Sequence, residues 1–415
     1  MNMASINPFS ANGKDYHPKA KPIVVICIDG SADEYLDRTM ALDRMPNLKK
    51  MAKDGYRGKV RGALPSFTNV NNSSIVTGVS PAVHGISGNF FYDVAKDQEV
   101  MMNSAEYLRA DTLLAAASHA GRKLAVVTAK EKLRDILSHK MKGIAISAEK
   151  ANQAKQSTHG IEDVEQIVGY KTPVIYSADA SLFVLRAGVA FIEKGLADFL
   201  YLSLTDYMQH TYAPEAEESV AFYEAMDTEI GKMLSLGAIV GATADHGMNA
   251  KIKADGSPNV LFVEDMLEAQ FGKIGFRVIC PITDPYVKHH GALGSYVVVH
   301  VDDKSKIADI KKWLEIQPGI TEVYDQATAV RVLEQPADRI GDLVVLSGRD
   351  VVVGRRPQYH DLSALDGTLR SHGGRYEEMV PMIISHPLNK TYQMKAAGDP
   401  RNFDIFDFTV NGTIV

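Results

Sequence analysis

The feature that most constrains this chain is a short apolar run, PIVVICI at 22–28, that stops abruptly at Asp29-Gly30. It is short, rich in β-branched side chains and bounded by a turn signal, so it reads as a strand covered on both faces. Such a strand belongs to a parallel sheet with helices above and below. The same texture recurs at 123–128 (KLAVVT), at 197–204 (ADFLYLSL, then Thr205-Asp206) and at 238–243 (AIVGAT, then Asp245-His246-Gly247). Helical patterns lie between these runs. They cover 46–54, which opens on Pro46, 111–121, which closes on Gly121, and then 181–195 and 214–235. The last carries Val220, Tyr223, Met226, Ile230 and Met233 at helical spacing. This alternation predicts an α/β sandwich around a mainly parallel sheet.

A chain of 415 residues exceeds the usual single domain, so a second unit is expected. The texture changes after Asn249, with a helix pattern at 263–270, a strand at 295–300, a helix at 304–314 and a strand at 341–346. The division read from this is an extension at 1–20, a catalytic core at 21–249, an inserted α+β cap at 250–368, and a return to the core at 369–415. The net charge is -6 and no Lys/Arg block stands out, which gives no reason to expect nucleic acid as a partner. The apolar runs are too short to span a membrane, and the polar N-terminal stretch lacks the apolar segment of a signal peptide. A cytoplasmic location without membrane association is therefore expected. Cys27 and Cys280 sit far apart in apolar surroundings and do not suggest a disulfide framework.

In a parallel sheet the carboxyl ends of the strands converge on one edge, where ligands bind. Asp29, Asp206 (with His210 four residues on), Asp245 and His246 all fall at such ends, and His372 lies in a glycine-rich SHGG. Each alone has a structural reading as a cap, loop or turn residue. Together they supply carboxylate oxygen and imidazole nitrogen for a pair of transition-metal ions, zinc above all, with manganese or iron tolerated. The segment 64–78, LPSFTNVNNSSIVTG, suggests a helix entering the core with Ser66 or Thr68 near its N-terminus. Free N–H groups there favour an anion, and a hydroxyl could attack phosphorus. It could equally be a helix N-cap.

These segments, VICIDG, LPSFTNVNNSSIVTG, LTDYMQHTY, ATADHGM and SHGG, in this order resemble the alkaline phosphatase superfamily, in its nucleotide pyrophosphatase/phosphodiesterase-like branch. The resemblance implies an alkaline-phosphatase-like three-layer sandwich with an inserted cap, and two zinc ions per subunit. Asp29, Thr68, Asp245 and His246 would surround one metal, and Asp206, His210 and His372 the other. Thr68 becomes the nucleophile, and threonine in place of serine favours this branch. The arginine that grips phosphate in the familiar phosphatase has no obvious counterpart. Asn89, in PAVHGISGNFF, is the implied donor to a phosphoryl oxygen, and His84 is read as structural. The expected reaction is hydrolysis of a carbon–phosphorus bond, through a phosphothreonine, in a small anionic organophosphonate that carries a carboxylate.

Lys130 and Lys132 follow the strand ending at Thr128 and are the expected carboxylate ligands; the alternative is a solvated helix start. His289, and His290 beside it, could also reach the substrate. The alternative activity is a nucleotide pyrophosphatase/phosphodiesterase acting on P–O bonds, for which Phe90, Phe91, Tyr92 and Tyr207 could form a stacking cleft. A noncatalytic zinc protein would lack a ligand or the nucleophile. A homodimer is compatible with the sequence, though no feature fixes it.

Overall fold

The computed structural model describes residues 7–284, 290–363, 365 and 368–415. Eleven strands carry the argument: β1 (Ile23–Cys27), β2 (Tyr56–Arg61), β3 (Leu124–Thr128), β4 (Gly143–Ser147), β5 (Phe199–Ser203), β6 (Ile239–Thr243), β7 (Phe276–Ile279), β8 (Tyr296–Val301), β9 (Ile320–Asp325), β10 (Leu343–Ser347) and β11 (Met379–Ile384). Seven of them form the main sheet in the order β2-β11-β6-β1-β5-β3-β4. From β6 to β4 all neighbours are parallel, whereas β11 runs antiparallel to both β6 and β2.

Successive side chains on a strand point to opposite faces, and here both faces are apolar. Val24, Ile26, Leu200, Leu202, Val240 and Ala242 pack on one side, against helices Asp33–Ala41, Pro46–Asp54, Ala178–Glu193 and Glu217–Ser235. Ile23, Val25, Cys27, Phe199 and Tyr201 pack on the other, against helices Thr68–Thr77, Leu113–His119 and Glu131–Leu137. Short helical turns across 402–412 complete that second layer. The result is the three-layer α/β sandwich that the short apolar runs imply. Cys27 and Cys280 are free and buried. Among the described residues, no helix is long and apolar enough to cross a membrane.

The remaining strands form an antiparallel sheet, β7-β8-β10-β9. Its apolar interior, including Val278, Val297, Val299 and Val345, is continuous with Ala63, Leu64, Phe67 and Val70. Those four residues lead into and begin the helix that carries Thr68. The chain departs toward this second sheet and returns through a two-stranded ladder, with Asn249 opposite Ser371 and Ala250 opposite Arg370. Glu377 locks that ladder. Its carboxylate accepts from Asn249 Nδ2 at 2.6 Å, from Lys251 Nζ at 2.8 Å and from the Gly374 amide at 3.1 Å.

Candidate active site

Thr68 is the first residue of helix Thr68–Thr77, preceded by Phe67 in extended conformation. It is not the N-cap, and the N-cap residue Phe67 makes no side-chain hydrogen bond to that helix. Ser66 donates its hydroxyl to Gly374 O at 2.9 Å, which commits it to structure. Thr68 Oγ1 lies 3.4 Å from His246 Nε2. Asp29, Asp206 and Asp245 follow β1, β5 and β6, three strands adjacent in the sheet, so their carboxylates meet at one edge.

His246 Nε2 is 3.2 Å from Asp29 Oδ1 and 3.7 Å from Asp245 Oδ2. His210 Nε2 is 3.0 Å from Asp206 Oδ2, and His372 Nε2 is 3.9 Å from the same oxygen. The rings of His246 and His372 stack at 3.5 Å. Two groups bring their ligand atoms within 4.8 Å of one another: Asp29, Asp245 and His246, and Asp206, His246 and His372.

The other ring nitrogens decide what these histidines can do. His210 Nδ1 lies 2.8 Å from Arg370 O, His246 Nδ1 2.9 Å from Gly247 O, and His372 Nδ1 2.7 Å from Ser66 O. A carbonyl only accepts, so each Nδ1 carries a proton and each Nε2 is left facing the centre. Metal-ligating histidines are held in this way. Both oxygens of Asp29 are buried without a hydrogen-bond donor among the described residues. Lone pairs and carboxylate oxygens packed this closely repel one another, and a cation removes the conflict. The donor set therefore fits divalent metal. Protons feel the same pull. Burial opposes protonation of His246, yet Asp245 and Asp29 outweigh it and lift the group to about 10. Burial and the Asp29 charge push Asp245 well above the usual carboxylate range.

Asn72, one helical turn after Thr68, braces this centre. Its Nδ2 donates to Asp245 Oδ2 at 3.3 Å and to Thr68 O at 3.1 Å. Its Oδ1 accepts from Tyr201 and Ser203 hydroxyls on β5 at 2.7 and 2.9 Å. The i, i+4 spacing from Thr68 was the available sequence signal. Two glycines permit the close approach. Gly30 has φ +70°, and a Cβ there would lie 3.1 Å from Asp206 Cβ. Gly373 has φ +119°, and its Cβ would lie 2.4 Å from Phe67 Cε1.

Neither lysine is a solvated helix start. Lys130 is buried, with Nζ 2.9 Å from Asp206 Oδ1. Burial lowers its pKa, but Asp206 and Asp29 outweigh burial and raise it. Lys132 pairs with Asp284, 152 residues further along the chain. Lys130, Lys132, Asp284, Asn103 and Tyr176 line a cavity of about 350 Å³. Asp284 and Tyr176 carried no sequence signal, because their role depends on this meeting of distant segments.

Asn89 is buried, and its Oδ1 accepts the Asn69 amide at 3.2 Å while its Nδ2 is 3.5 Å from Ile282 O. His84 is a core residue, hydrogen-bonded at Nε2 to Ser74 Oγ and held neutral by burial, with its pKa lowered to about 3. His290 is buried with its ring 5.3 Å from that of His210, and burial, then His210, lowers its pKa to about 3. His289 lies outside the described residues. Two of the proposed stacking aromatics have other duties: Phe91 packs edge-on against Tyr107, and Tyr92 lies between Arg277 and His300.

The model of the type I phosphodiesterase / nucleotide pyrophosphatase family matches residues 23–375. The chain belongs to this family. It is similar to the phosphonoacetate hydrolase of Sinorhizobium meliloti 1021, solved in complex with phosphonoformate and with phosphonoacetate. The phosphonoformate complex shares 42% identity, a TM-score of 0.94, and 98% of this chain with 99% of the other. The phosphonoacetate complex matches at 41% identity over the same shares, again with a TM-score of 0.94. Murine ectonucleotide pyrophosphatase / phosphodiesterase 5 shares the fold, at 15% identity and TM-score 0.64 over 95% of this chain and 96% of that one. Ectonucleotide pyrophosphatase/phosphodiesterase family member 3 of Mus musculus is 35% identical over 86 residues, which is 20% of this chain. The match spans about 10% of that curated relative's length. The chain is thus a hydrolase of the alkaline phosphatase superfamily, and its Asp/His clusters suit the metal dependence of the family.

Proposed function

We propose that this chain hydrolyses phosphonoacetate to acetate and inorganic phosphate. The observation that carries the reading is the likeness, over 98% of the chain, to a hydrolase solved with that substrate. The lysine-lined cavity beside the Asp206 cluster supports it, since it suits a small carboxylate better than a nucleotide base.

In this reading Asp29, Thr68, Asp245 and His246 hold one zinc ion and Asp206, His210 and His372 the other, with manganese or iron as alternatives. Two such ions would supply Lewis acidity, lowering the pKa of the Thr68 hydroxyl and offsetting the phosphonate charge. Thr68 Oγ1 attacks phosphorus in line. Asn89 Nδ2 donates to a phosphonate oxygen. The Lys130 and Lys132 ammonium groups take the substrate carboxylate, where charge grows as the carbon–phosphorus bond breaks, so their help is greatest in the transition state. Water then cleaves the phosphothreonine. Residues 21–249 and 369–415 are the catalytic core in this reading, 250–368 a cap beside the site and 1–20 an extension. A cytoplasmic location and a homodimer belong to the same proposal.

Purified protein should release phosphate from phosphonoacetate and lose that activity to a chelator. Faster turnover of a nucleotide diester would overturn the assignment in favour of P–O chemistry.

A further inference from the structure

Arg370 stands behind His210 and reaches it by two routes. Its carbonyl accepts the Nδ1–H of His210 at 2.8 Å. Its side chain turns back to the short helix that carries that histidine, Tyr207–Thr211. Nε donates to Gln209 O at 2.8 Å, and Nη2 donates to the Tyr35 hydroxyl oxygen at 3.0 Å. The Tyr35 hydroxyl donates in turn to Tyr212 O at 2.7 Å. The carbonyls just before His210 and two residues after it are thus held by one guanidinium and the phenol it grips. His372 lies two residues beyond Arg370 on the same return segment.

The clasp calls for arginine. A planar guanidinium aims two donors at two acceptors at once, which an ammonium on a flexible stem does not. Arg370 is buried, and both acceptors of its side chain are neutral, so neither offsets the burial of the charge as a carboxylate would. An apolar side chain of similar volume would serve packing better. Tyr35 is itself held in place. Its ring stacks on that of Tyr223 at 5.4 Å, and the Tyr223 hydroxyl accepts from Gln209 Nε2 and donates to Ser31 Oγ, each at 2.9 Å. Ser31 follows Asp29-Gly30. One buried network therefore ties together the Asp29 loop, the His210 helix and the His372 segment.

We propose that Arg370 is a positioning residue that sets the orientation of His210, and through it the affinity of the metal ion assigned to Asp206, His210 and His372; the assignment rests on the two-metal reading above. A histidine ligand is oriented by the hydrogen bond at its other ring nitrogen. That bond is only as fixed as the carbonyl that accepts it. Here the carbonyl belongs to the same residue whose side chain clamps the helix, so the histidine and its acceptor are held in one frame. Removing the side chain frees the helical turn to shift against the carbonyl while every ligand stays in the chain.

The test titrates the zinc-loaded full chain with a competing chromophoric chelator. It compares wild type, Arg370→Met, Arg370→Lys, His210→Ala, and Arg370→Met combined with His210→Ala. Wild type should release two zinc ions. Arg370→Met should weaken one of them by about ten- to a hundredfold, the usual cost of losing the support of a ligand, and leave the other within about twofold. Arg370→Lys keeps the charge without the fork and should fall between. In the His210→Ala background Arg370→Met should weaken zinc no further, because the residue it acts through is gone. A merely structural role would weaken both ions together or add to the His210→Ala loss, and either result would overturn the proposal. Wild-type affinities in Arg370→Met would do so too. Should Arg370→Met fail to fold, Tyr35→Phe keeps the stacked ring but loses the hydroxyl; it should weaken the same ion, and an unchanged affinity would count against the clasp. Wild type that holds fewer than two zinc ions would instead remove the two-metal reading, and the assignment would fall with it.

Discussion

At the scale of single residues, Thr68 and Asn72 form a working pair one helical turn apart. Thr68 Oγ1 faces His246 directly, while Asn72 reaches the cluster through Asp245 and the Thr68 carbonyl and is itself held by the Tyr201 and Ser203 hydroxyls. Their loss should therefore look different. Thr68→Ala should lower kcat by at least about a thousandfold, since a covalent route has no substitute nucleophile. Bound metal should be largely retained, and retained turnover would exclude the phosphothreonine. Asn72→Ala removes the donor to Asp245 Oδ2 and leaves Oδ1 held by the Gly30 and His246 amides. It should cost about ten- to a hundredfold in metal affinity or activity, the usual cost of removing a ligand's hydrogen-bond partner. Titrating the apo-variant with zinc separates the two effects; an affinity and kcat equal to wild type would show that Asn72 serves the core alone.

At the scale of elements, the return segment Ser371-His372-Gly373-Gly374 is wedged between Phe67 and the second sheet. Phe67 packs edge-on against both His372 and Tyr296. Gly373→Ala introduces a Cβ where Phe67 already stands, at a φ that L side chains rarely adopt. The expected cost is about 1–3 kcal/mol of stability. Activity should fall more than that cost explains, because His372 moves with the loop. A thermal melt and a kcat measured on the same sample check both halves.

The elements also divide into those legible in the sequence and those not. β1, β3, β5 and β6 are buried on every residue, so their apolar runs announce them. β2, with the sequence YRGKVR, sits at the sheet edge and shows mostly half-buried positions, so it carries no such run. β7 and β9 are partly exposed for the same reason. The metal-binding candidates were legible because they sit just past buried strands or in a conspicuous glycine loop. Their protonation was not, since it depends on the carbonyls of Ser66 and Arg370, far along the chain from the histidines they hold. The lysines were visible as residues, but their burial and the approach of Asp284 from far along the chain arise only in the folded structure.

At the scale of the whole molecule, the site draws on segments from Asp29 to His372 and joins them through like-charged, buried carboxylates. Such a centre is more stable when filled. Ligand that binds only the folded state adds about 4 kcal/mol per site when its free concentration is a thousand times Kd. Chelation should therefore lower the unfolding temperature as well as abolish turnover, and added zinc should restore both. Thr68→Ala should show the same thermal response. An unfolding temperature indifferent to chelator would mean that these residues bind no metal tightly.

The position of β11 sets the order in which the protein can be made. It is the last of the described strands, yet it lies between β2 and β6 near one side of the main sheet. Until residues 379–384 have emerged from the ribosome, β2 has no partner and β6 presents a bare edge able to pair with another nascent chain. The residues between β6 and β11, which include the second sheet, are synthesised during that interval, while the main sheet is still split. Translation that stalls between β6 and β11 should yield sticky intermediates, and the Asp/His cluster can assemble only after His372 has emerged.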